Sequence, residues 1–308
     1  MNKKIAVIGA GNVGASCALY LAEANFADIV MIDIAEGIPQ GKALDLTQAG
    51  PVRGYNSRVT GSNDYADIKG ADIVVMTAGL ARKPGMTRED LLIKNAEIVG
   101  MAAENIKKYA PNAFVLVVSN PLDLMTFHMF KVTGFPTHKV FGQAGVLDSI
   151  RFRTFIAMEL GVAVTDVQAM VLGGHGDTMV PLPRYTTVGG VPIAELIPKE
   201  RIDAICARTA DGGGEIVRLL KTGSAFYAPA AASVDMVKSV FSDEKRVLAA
   251  SAMLTGQYGI KDIYIGVPVV LGAKGVENIL ELKLDKNELD ALQKSAATYK
   301  EHLQVLKY

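Results

Sequence analysis

Apolar runs alternate with segments of helical periodicity through the first half of the chain. The predicted strands are KKIAVIG, DIVMIDI, RVTGS, ADIVVMTAG and AFVLVVSNP. Helices are predicted through Glu23, around residues 41–48 and near residues 91–109. Most of these strands are apolar at consecutive positions, as in a parallel sheet that is covered on both faces by crossover helices. The pattern therefore predicts a doubly wound α/β domain over residues 1–142.

A different pattern begins at residue 143. The predicted elements are a helix over residues 149–160, short strands and turns over 179–193, helices over 199–220 and 225–241, and a hairpin in DIYIGVPVVLG. Asp285 and Glu288 have the spacing of a capping box, and the apolar residues that follow at intervals of three and four predict a last helix. The second half thus predicts an α+β domain over residues 143–308. The cleft between two packed domains is the default place for a site.

Composition and charge narrow the function classes. The chain has 308 residues, of which 50% are hydrophobic, and 32 Lys and Arg balance 32 Asp and Glu. This length favours two domains, and the balanced charge argues against a nucleic-acid-binding surface, which needs an excess of cations. We find neither a signal-peptide pattern nor an apolar run near the roughly 18 residues of a membrane span. Cys17 and Cys206 lie in apolar periodic stretches, which predicts buried thiols in a cytoplasmic protein without a disulfide framework.

A glycine pattern joins the first predicted strand to the first helix. It reads G-x-G-x-x-G and consists of Gly9, Ala10, Gly11, Asn12, Val13 and Gly14. In a dinucleotide-binding fold, the first glycine permits a tight turn, the second lets the backbone approach a pyrophosphate, and the third lets helix and strand pack closely. Tight turns between strand and helix also use glycines for steric reasons alone, so the pattern needs a second signal.

Asp33 provides that second signal. It ends the second predicted strand, 19 residues after Gly14, where the fingerprint places an acid for the ribose hydroxyls. A carboxylate at this position would repel the 2′-phosphate of NADP, but it would accept a hydrogen bond from the 2′-hydroxyl of NAD. Together the two signals predict a Rossmann-type domain that binds NAD rather than NADP.

Polar residues also follow two later strands of the first half. Arg82 and Arg88 lie in LARKPGMTR, a Gly- and Pro-containing segment suited to a mobile lid. Their guanidinium groups would either grip an anionic substrate or be solvated surface charges. Asn120, in VVSNPLD, would either enter the cleft or serve a turn or helix cap, which is the commoner role.

Three candidate residues open the second half. Asp148 and Arg151 lie in AGVLDSIRFR at the start of a predicted helix, where an N-cap acid is the default interpretation. His175, one of 4 histidines, stands between glycines after an apolar run. That position suits proton transfer, although a lone histidine is more often structural. No spacing typical of metal ligands accompanies it, and we predict no metal site.

Taken in chain order, the motifs resemble one family. GAGNVG, MIDI, TAGLARKPGMTR, VSNPLD, LDSIRFR and GGHGD closely resemble the malate and lactate dehydrogenase family of NAD-dependent 2-hydroxy acid dehydrogenases, in particular its bacterial lactate-dehydrogenase-like malate group. The resemblance covers essentially the whole chain. It implies a Rossmann domain followed by an α+β catalytic domain, NAD as cofactor, and reversible oxidation of (S)-malate to oxaloacetate, with L-lactate dehydrogenase as the alternative.

The resemblance also implies a role for each matching residue. His175 is the implied acid–base catalyst, and Asp148 holds its imidazole. Arg151 is implied to pair with the substrate 1-carboxylate, Arg88 to polarise the carbonyl from the lid, and Asn120 to contact both substrate and cofactor. The implied cofactor contacts, besides the glycine pattern and Asp33, are Asn95 and Val118.

Arg82 bears on the choice of substrate. In the family, the residue before the Lys-Pro-Gly of the lid faces the substituent on the third carbon of the substrate, and lactate-selective members carry Gln there. Arg82 would pair with the second carboxylate of oxaloacetate, whereas pyruvate would leave the guanidinium unpaired. Ala225 aligns loosely with a threonine of lactate-selective members and leaves room for the larger substrate. Both positions favour malate.

Two other function classes share part of the pattern. NAD-dependent glycosidases begin with a dinucleotide fold, but they rely on a metal, for which the sequence shows no ligand cluster. A noncatalytic NAD-binding sensor needs the glycines, but it has no need for His175, Asp148 and three arginines together.

The resemblance finally implies self-association. Family members form homodimers or homotetramers, commonly with the helix near residues 41–48 and the segment 149–160 at the first interface. The apolar content of RFRTFIAMELGV fits such an interface, although burial within one subunit would produce the same pattern.

Overall fold

The structure, a computed structural model, describes residues 3–80 and 87–308, and of Arg88 it describes the backbone alone. The strands of the first half are β1 (Lys4–Ile8), β2 (Asp28–Ile32), β3 (Val59–Ser62), β4 (Ile73–Met76), β5 (Phe114–Val117) and β6 (Val140–Gly142). The helices are α1 (Asn12–Ala24), α2 (Ile38–Arg53), α3 (Arg88–Tyr109) and α4 (Leu122–Thr133).

The second half combines strands of two to five residues with two strands of ten and twelve residues. Its strands are β7 (Val167–Gln168), β8 (Val171–Gly173), β9 (Met179–Pro181), β10 (Thr187–Val188), β11 (Val191–Pro192), β12 (Arg246–Thr255), β13 (Lys261–Gly272) and β14 (Gly275–Ile279). Its helices are α5 (Ala144–Leu160), α6 (Ile193–Leu196), α7 (Lys199–Leu220), α8 (Tyr227–Phe241) and α9 (Lys286–Val305).

The first six strands form a parallel sheet in the order β3-β2-β1-β4-β5-β6. Consecutive residues of β1 and β4 are buried, since helices cover both faces of the sheet. The predicted doubly wound α/β architecture is confirmed. Strand order reverses between β1 and β4, and in such sheets ligands bind at the carboxyl ends of the strands on either side of that point.

Antiparallel strands extend the same sheet. Ser251 of β12 pairs with Gly142 of β6, and the order continues through β13, β8 and β9. The prediction of antiparallel strands is confirmed, but the prediction of a hairpin in DIYIGVPVVLG is wrong, because this segment is the single strand β13. Gly266 within it marks a close approach rather than a turn: a Cβ there would lie 2.5 Å from the carbonyl oxygen of Gly173.

Several helices begin earlier than predicted. The Thr87 side chain accepts a hydrogen bond from the Asp90 N–H while Asp90 accepts from the Thr87 N–H, and this capping box starts α3 at Arg88. The helix α5 starts at Ala144, so Asp148 lies in its second turn, and the N-cap interpretation of Asp148 is wrong. The capping box at Asp285 is confirmed.

The remaining expectations concern the cysteines and the membrane. Cys17 is buried and Cys206 is partly exposed, and both thiols are free. Cys206 therefore meets the expectation of a buried thiol only in part. No helix that the described residues form is both long and apolar enough to cross a membrane.

Candidate active site

The glycine pattern forms a turn that is closely packed on one side and open on the other. A Cβ at Gly14 would lie 1.8 Å from the carbonyl oxygen of Gly9, and a Cβ at Gly9 would lie 2.7 Å from the Ala78 nitrogen. Around Gly11, in contrast, a Cβ would have no described atom within 4 Å. Gly11 is the N-cap of α1 and supplies no capping side chain. The first N–H groups of α1 therefore face open space, which is the arrangement that receives a pyrophosphate.

Asp33 lies at the carboxyl end of β2 and joins the turn. One of its carboxylate oxygens accepts the Ala10 N–H at 2.7 Å, and the other accepts the Ala35 N–H at 2.9 Å. The Lys42 ammonium donates to the Ala10 carbonyl at 2.6 Å. The backbone of Ala10 is thus held at both its N–H and its carbonyl. Since a carboxylate has about four acceptor positions, Asp33 keeps free ones for ribose hydroxyls.

Asn95 of α3 ties together the ends of two further strands. Its side-chain oxygen accepts the Leu80 N–H at 2.7 Å, and its amide nitrogen donates to the Asn120 carbonyl at 2.7 Å. Asn95 is 1% exposed, so it holds the backbone from within, and Val118, directly after β5, is also buried. Asn120 is exposed and lines a cavity of about 300 Å³.

His175 also lines that cavity, and its imidazole is paired with Asp148. The imidazole Nδ1 lies 2.9 Å from Asp148 Oδ2. A carboxylate only accepts, so Nδ1 carries the proton and Nε2 is left for a reactant. The two side chains are 14% and 2% exposed, respectively. The loop after β8 supplies His175, and the second turn of α5 supplies Asp148.

Burial and charge act on His175 in opposite directions. Burial lowers the pKa of His175, but the charge and hydrogen bond of Asp148 raise it, and the net pKa lies above the ordinary histidine value. The protonated imidazole is therefore stable near neutral pH, as a group that gives and takes a proton requires.

Arg151 lies one turn after Asp148 on α5 and also lines the cavity. Its Nη1 is 3.4 Å from Asp148 Oδ1, and its side chain is 12% exposed. Its Nε is buried and has no hydrogen-bond partner among the described residues. Burial lowers the pKa of Arg151, which is the cost of holding a guanidinium in this place. An anion entering the cavity would meet an incompletely paired cation.

The structure brings His175, Arg151 and Asn120 to one cavity, which Ala225 also lines, and Asp148 lies behind His175, hydrogen-bonded to its ring. Arg82 lies outside the described residues, as does the side chain of Arg88, so their positions remain predictions. No group of three or more His, Cys, Asp or Glu within residues 3–80 and 87–308 is arranged to hold a metal.

Sequence reasoning missed two residues beside His175. Asp123 accepts the His175 N–H at 2.8 Å, and the Tyr299 hydroxyl donates to the His175 carbonyl at 2.9 Å. A signal for Asp123 existed, because it is the acid of VVSNPLD, although only Asn120 of that motif was singled out. Tyr299 belongs to the apolar stripe of the last helix, and nothing local distinguishes it from a core residue.

Comparisons with known proteins agree along the whole chain. The NAD binding domain of lactate/malate dehydrogenase matches residues 3–142, and the alpha/beta C-terminal domain of lactate/malate dehydrogenase matches residues 145–307. Malate dehydrogenase of Methanosarcina mazei is 58% identical over 98% of this chain and 99% of its own length.

Solved structures agree as well. Malate dehydrogenase of Cryptosporidium parvum is 47% identical with a TM-score of 0.97 and covers 100% of this chain and 99% of its own. Lactate dehydrogenase of the same organism, complexed with lactic acid and nicotinamide adenine dinucleotide, is 48% identical with a TM-score of 0.96 and covers 100% of this chain and 98% of its own.

Substitutions of two glycines should separate packing from cofactor contact. Gly14→Ala forces a methyl group to 1.8 Å from the Gly9 carbonyl, so we expect destabilisation of about 2 kcal/mol or more in thermal unfolding. Gly11→Ala meets no described atom within 4 Å and has an ordinary φ of −68°, so the fold should persist. Its methyl group would instead obstruct a pyrophosphate and raise the Kd for NADH about tenfold or more. Unchanged NADH binding by Gly11→Ala would exclude a close approach at this turn.

Removal of the Asp148 charge should lower the pKa of His175. In Asp148→Asn burial acts with less opposition, and we expect a downward shift of about 1–3 pH units. An NMR titration of protein labelled at histidine Cε1 measures it, with the His175 signal assigned by its absence in His175→Asn. Asp45→Asn, which removes an exposed charge on α2, is the control and should leave the titration unchanged. An unchanged His175 titration in Asp148→Asn would contradict the pairing.

Proposed function

Because this chain belongs to the lactate/malate dehydrogenase family, we propose that it interconverts (S)-malate and oxaloacetate with NAD as cofactor and His175 as the acid–base catalyst. The activity is that of an NAD-dependent malate dehydrogenase. The observation that carries the proposal is the grouping of a hydrogen-bonded His175–Asp148 pair and the buried Arg151 around one cavity. That cavity also contains Asn120, which Asn95 connects to the strand ends beside the glycine turn.

The His175–Asp148 pair performs the proton transfer. When bound, NADH supplies the hydride that reduces the carbonyl carbon of oxaloacetate. Negative charge then develops on the carbonyl oxygen, and the protonated His175 donates from Nε2 to that oxygen. Asp148 fixes the ring orientation and stabilises its charged form, so that the charge is in place before the reaction. In the direction of malate oxidation, the neutral imidazole takes the hydroxyl proton.

Two arginines and one asparagine bind the substrate in this proposal. Arg151 offers its guanidinium to the 1-carboxylate, and the buried Nε without a described partner supports this role. Asn120 contributes an amide at the cavity wall. Arg88, whose backbone opens α3, is assigned to the carbonyl oxygen by its place in the lid motif.

Cofactor binding falls to the carboxyl ends of the parallel strands. Residues 9–14 receive the pyrophosphate, and Asp33 accepts from the ribose hydroxyls. Asn95 and Val118 shape the wall that continues toward Asn120.

Malate is preferred over lactate in this proposal because of Arg82. Oxaloacetate brings a second carboxylate to the third carbon, and an arginine pairs with it, whereas pyruvate would leave a desolvated cation. Ala225 in the cavity wall supports the choice, since its small side chain leaves room for the larger substrate. The similarity to a lactate dehydrogenase keeps L-lactate oxidation as the second candidate.

The chain divides at residues 142 and 143 in this proposal. The parallel strands end with β6 at Gly142, and α5, which carries Asp148 and Arg151, begins directly after it. Residues 1–142 would then bind the cofactor, and residues 143–308 would carry the proton-transfer pair. The free thiols of Cys17 and Cys206 support a reducing, cytoplasmic location.

Self-association as a homodimer or homotetramer is also part of the proposal. Helices α2, α1, α8 and α5 pack side by side in one layer. Large apolar side chains protrude from both ends of this layer, with Leu44 of α2 59% exposed and Met158 of α5 65% exposed. Apolar exposure of this kind supports an interface between copies of the chain.

An assay with two substrates tests the proposed activity. The fall of NADH absorbance at 340 nm measures the reaction with each substrate, and kcat/KM should be about a thousandfold higher for oxaloacetate than for pyruvate.

Arg82→Gln should lower kcat/KM for oxaloacetate and raise it for pyruvate. His175→Asn is the control and should lose about a thousandfold in kcat with both substrates while it still binds NADH. Preference for pyruvate in the unsubstituted protein would establish the lactate alternative, and an unchanged preference in Arg82→Gln would place the discrimination elsewhere.

Sedimentation velocity tests the proposed assembly. The unsubstituted protein should sediment as a multiple of its 32.7 kDa chain. A double substitution, Leu44→Glu with Met158→Glu, should reduce the assembly because it buries charge at the interface. Val191→Glu, on the exposed strand β11, is the matched control and should assemble normally. Sedimentation of the unsubstituted protein as a single chain would refute the proposal.

A further inference from the structure

A second buried carboxylate lies behind His175 and takes no part in the proton transfer described above. Asp123, in the first turn of α4, is 0% exposed. Its Oδ2 accepts the His175 N–H at 2.8 Å, and its Oδ1 accepts the Ser251 hydroxyl at 2.6 Å. An acid is rarely buried so completely unless it has partners of this kind.

We propose that Asp123 is a positioning residue for the reaction: as a carboxylate it fixes the main chain of His175 and supplies a second negative charge that favours the imidazolium. The proposal deepens the function proposed above and rests on it. Asp123 would touch neither substrate nor cofactor, and it would act only through His175.

The main chain of His175 is held from two sides. Asp123 accepts its N–H from α4, and the Tyr299 hydroxyl of α9 donates to its carbonyl. The preceding residue, Gly174, lies directly against the Tyr299 ring, where a Cβ would come within 2.0 Å of a ring carbon. Asp148 of α5 holds the ring. Three helices thus restrain one histidine, and reaction rates depend steeply on such alignment.

The charges around His175 explain why a carboxylate is needed. Arg151 and a protonated His175 carry two positive charges, and Asp148 and Asp123 carry two negative charges, so the buried cluster is neutral while the imidazole is protonated. Burial raises the pKa of Asp123 to about 6, against the opposing effect of the hydrogen bonds from Ser251 and the His175 N–H. Above that pH Asp123 is ionised, and its charge raises the pKa of His175, as that of Asp148 does.

Asp123 also connects His175 to the substrate side of the cavity. It lies three residues after Asn120, whose carbonyl is held by Asn95 at 2.7 Å. The turn that presents the Asn120 amide therefore also fixes the His175 backbone. A neutral hydrogen-bonding side chain would keep this geometry but lose the charge, so the two contributions are separable.

Asp123→Asn isolates the charge. The amide oxygen still accepts the His175 N–H, and the amide nitrogen donates to Ser251, so the fold should be retained. We expect the His175 titration, followed by NMR at Cε1, and the alkaline limb of kcat/KM for oxaloacetate to move down together by about one pH unit. Ser239→Ala is the matched control: it removes one buried hydrogen bond, from the Ser239 hydroxyl to the Leu271 carbonyl, and leaves Asp123 with both of its partners, so its alkaline limb should stay in place although its Tm falls.

Asp123→Ala isolates the alignment. It leaves the His175 N–H without its acceptor, and we expect kcat per folded enzyme to fall about 100-fold with a small change in the Kd for NADH. A purely structural residue would lower the Tm and leave both the titration and kcat of the folded fraction unchanged, which would overturn the proposal. Failure of the unsubstituted protein to reduce oxaloacetate would instead refute the proposed function. The NMR titration needs no substrate and decides the role of Asp123 toward His175 in either case.

Discussion

The hydrogen bond between His175 and Asp148 is the interaction on which the rest of the site depends. Both side chains are largely removed from water, and burial alone would lower the pKa of the imidazole. The carboxylate reverses that tendency, so the ring is held in one orientation and its charged form is stable near neutral pH. Two neighbouring side chains help to stabilise this charged pair in its buried position. Arg151 partly balances Asp148, and Asp123 holds the backbone from which the ring extends.

A continuous sheet makes this arrangement possible. The parallel strands carry the glycine turn and Asp33 at one edge, and the antiparallel strands carry His175 on the loop after β8. The two parts meet where Gly142 pairs with Ser251. A Cβ at Gly142 would lie 2.6 Å from the Leu122 side chain, so a glycine is what lets α4 approach this junction. The Ser251 hydroxyl then donates to Asp123 on α4, and the junction is connected through Asp123 to His175.

The sequence predicted the features that local physics determines. The glycine turn, Asp33 after a buried strand and the Asp285 capping box each depend on residues close in the chain, and the structure contains all three. Longer-range contacts were harder to predict. The hairpin expected in DIYIGVPVVLG is absent because Gly266 does not form a turn. It lies within β13 and pairs with Gly173 of β8. Asp148 was expected as a helix cap, although its partner is a histidine 27 residues away. The roles assigned to Arg82 and Arg88 came from family resemblance and remain predictions.

The overall charge balance gains a local meaning from the site. With the imidazole protonated, the buried cluster of Arg151, His175, Asp148 and Asp123 is neutral, and an entering 1-carboxylate adds one negative charge beside an incompletely paired Arg151. A second carboxylate on the substrate would add another, and only a further cation would balance it. Arg82 in the lid motif would supply that cation. A substrate without the second carboxylate would then close the lid over an uncompensated guanidinium, which is costly in a water-excluded site. In the proposed function, discrimination would then depend on whether the substrate brings the carboxylate that neutralises Arg82, a local requirement that the chain-wide equality of 32 basic and 32 acidic residues conceals.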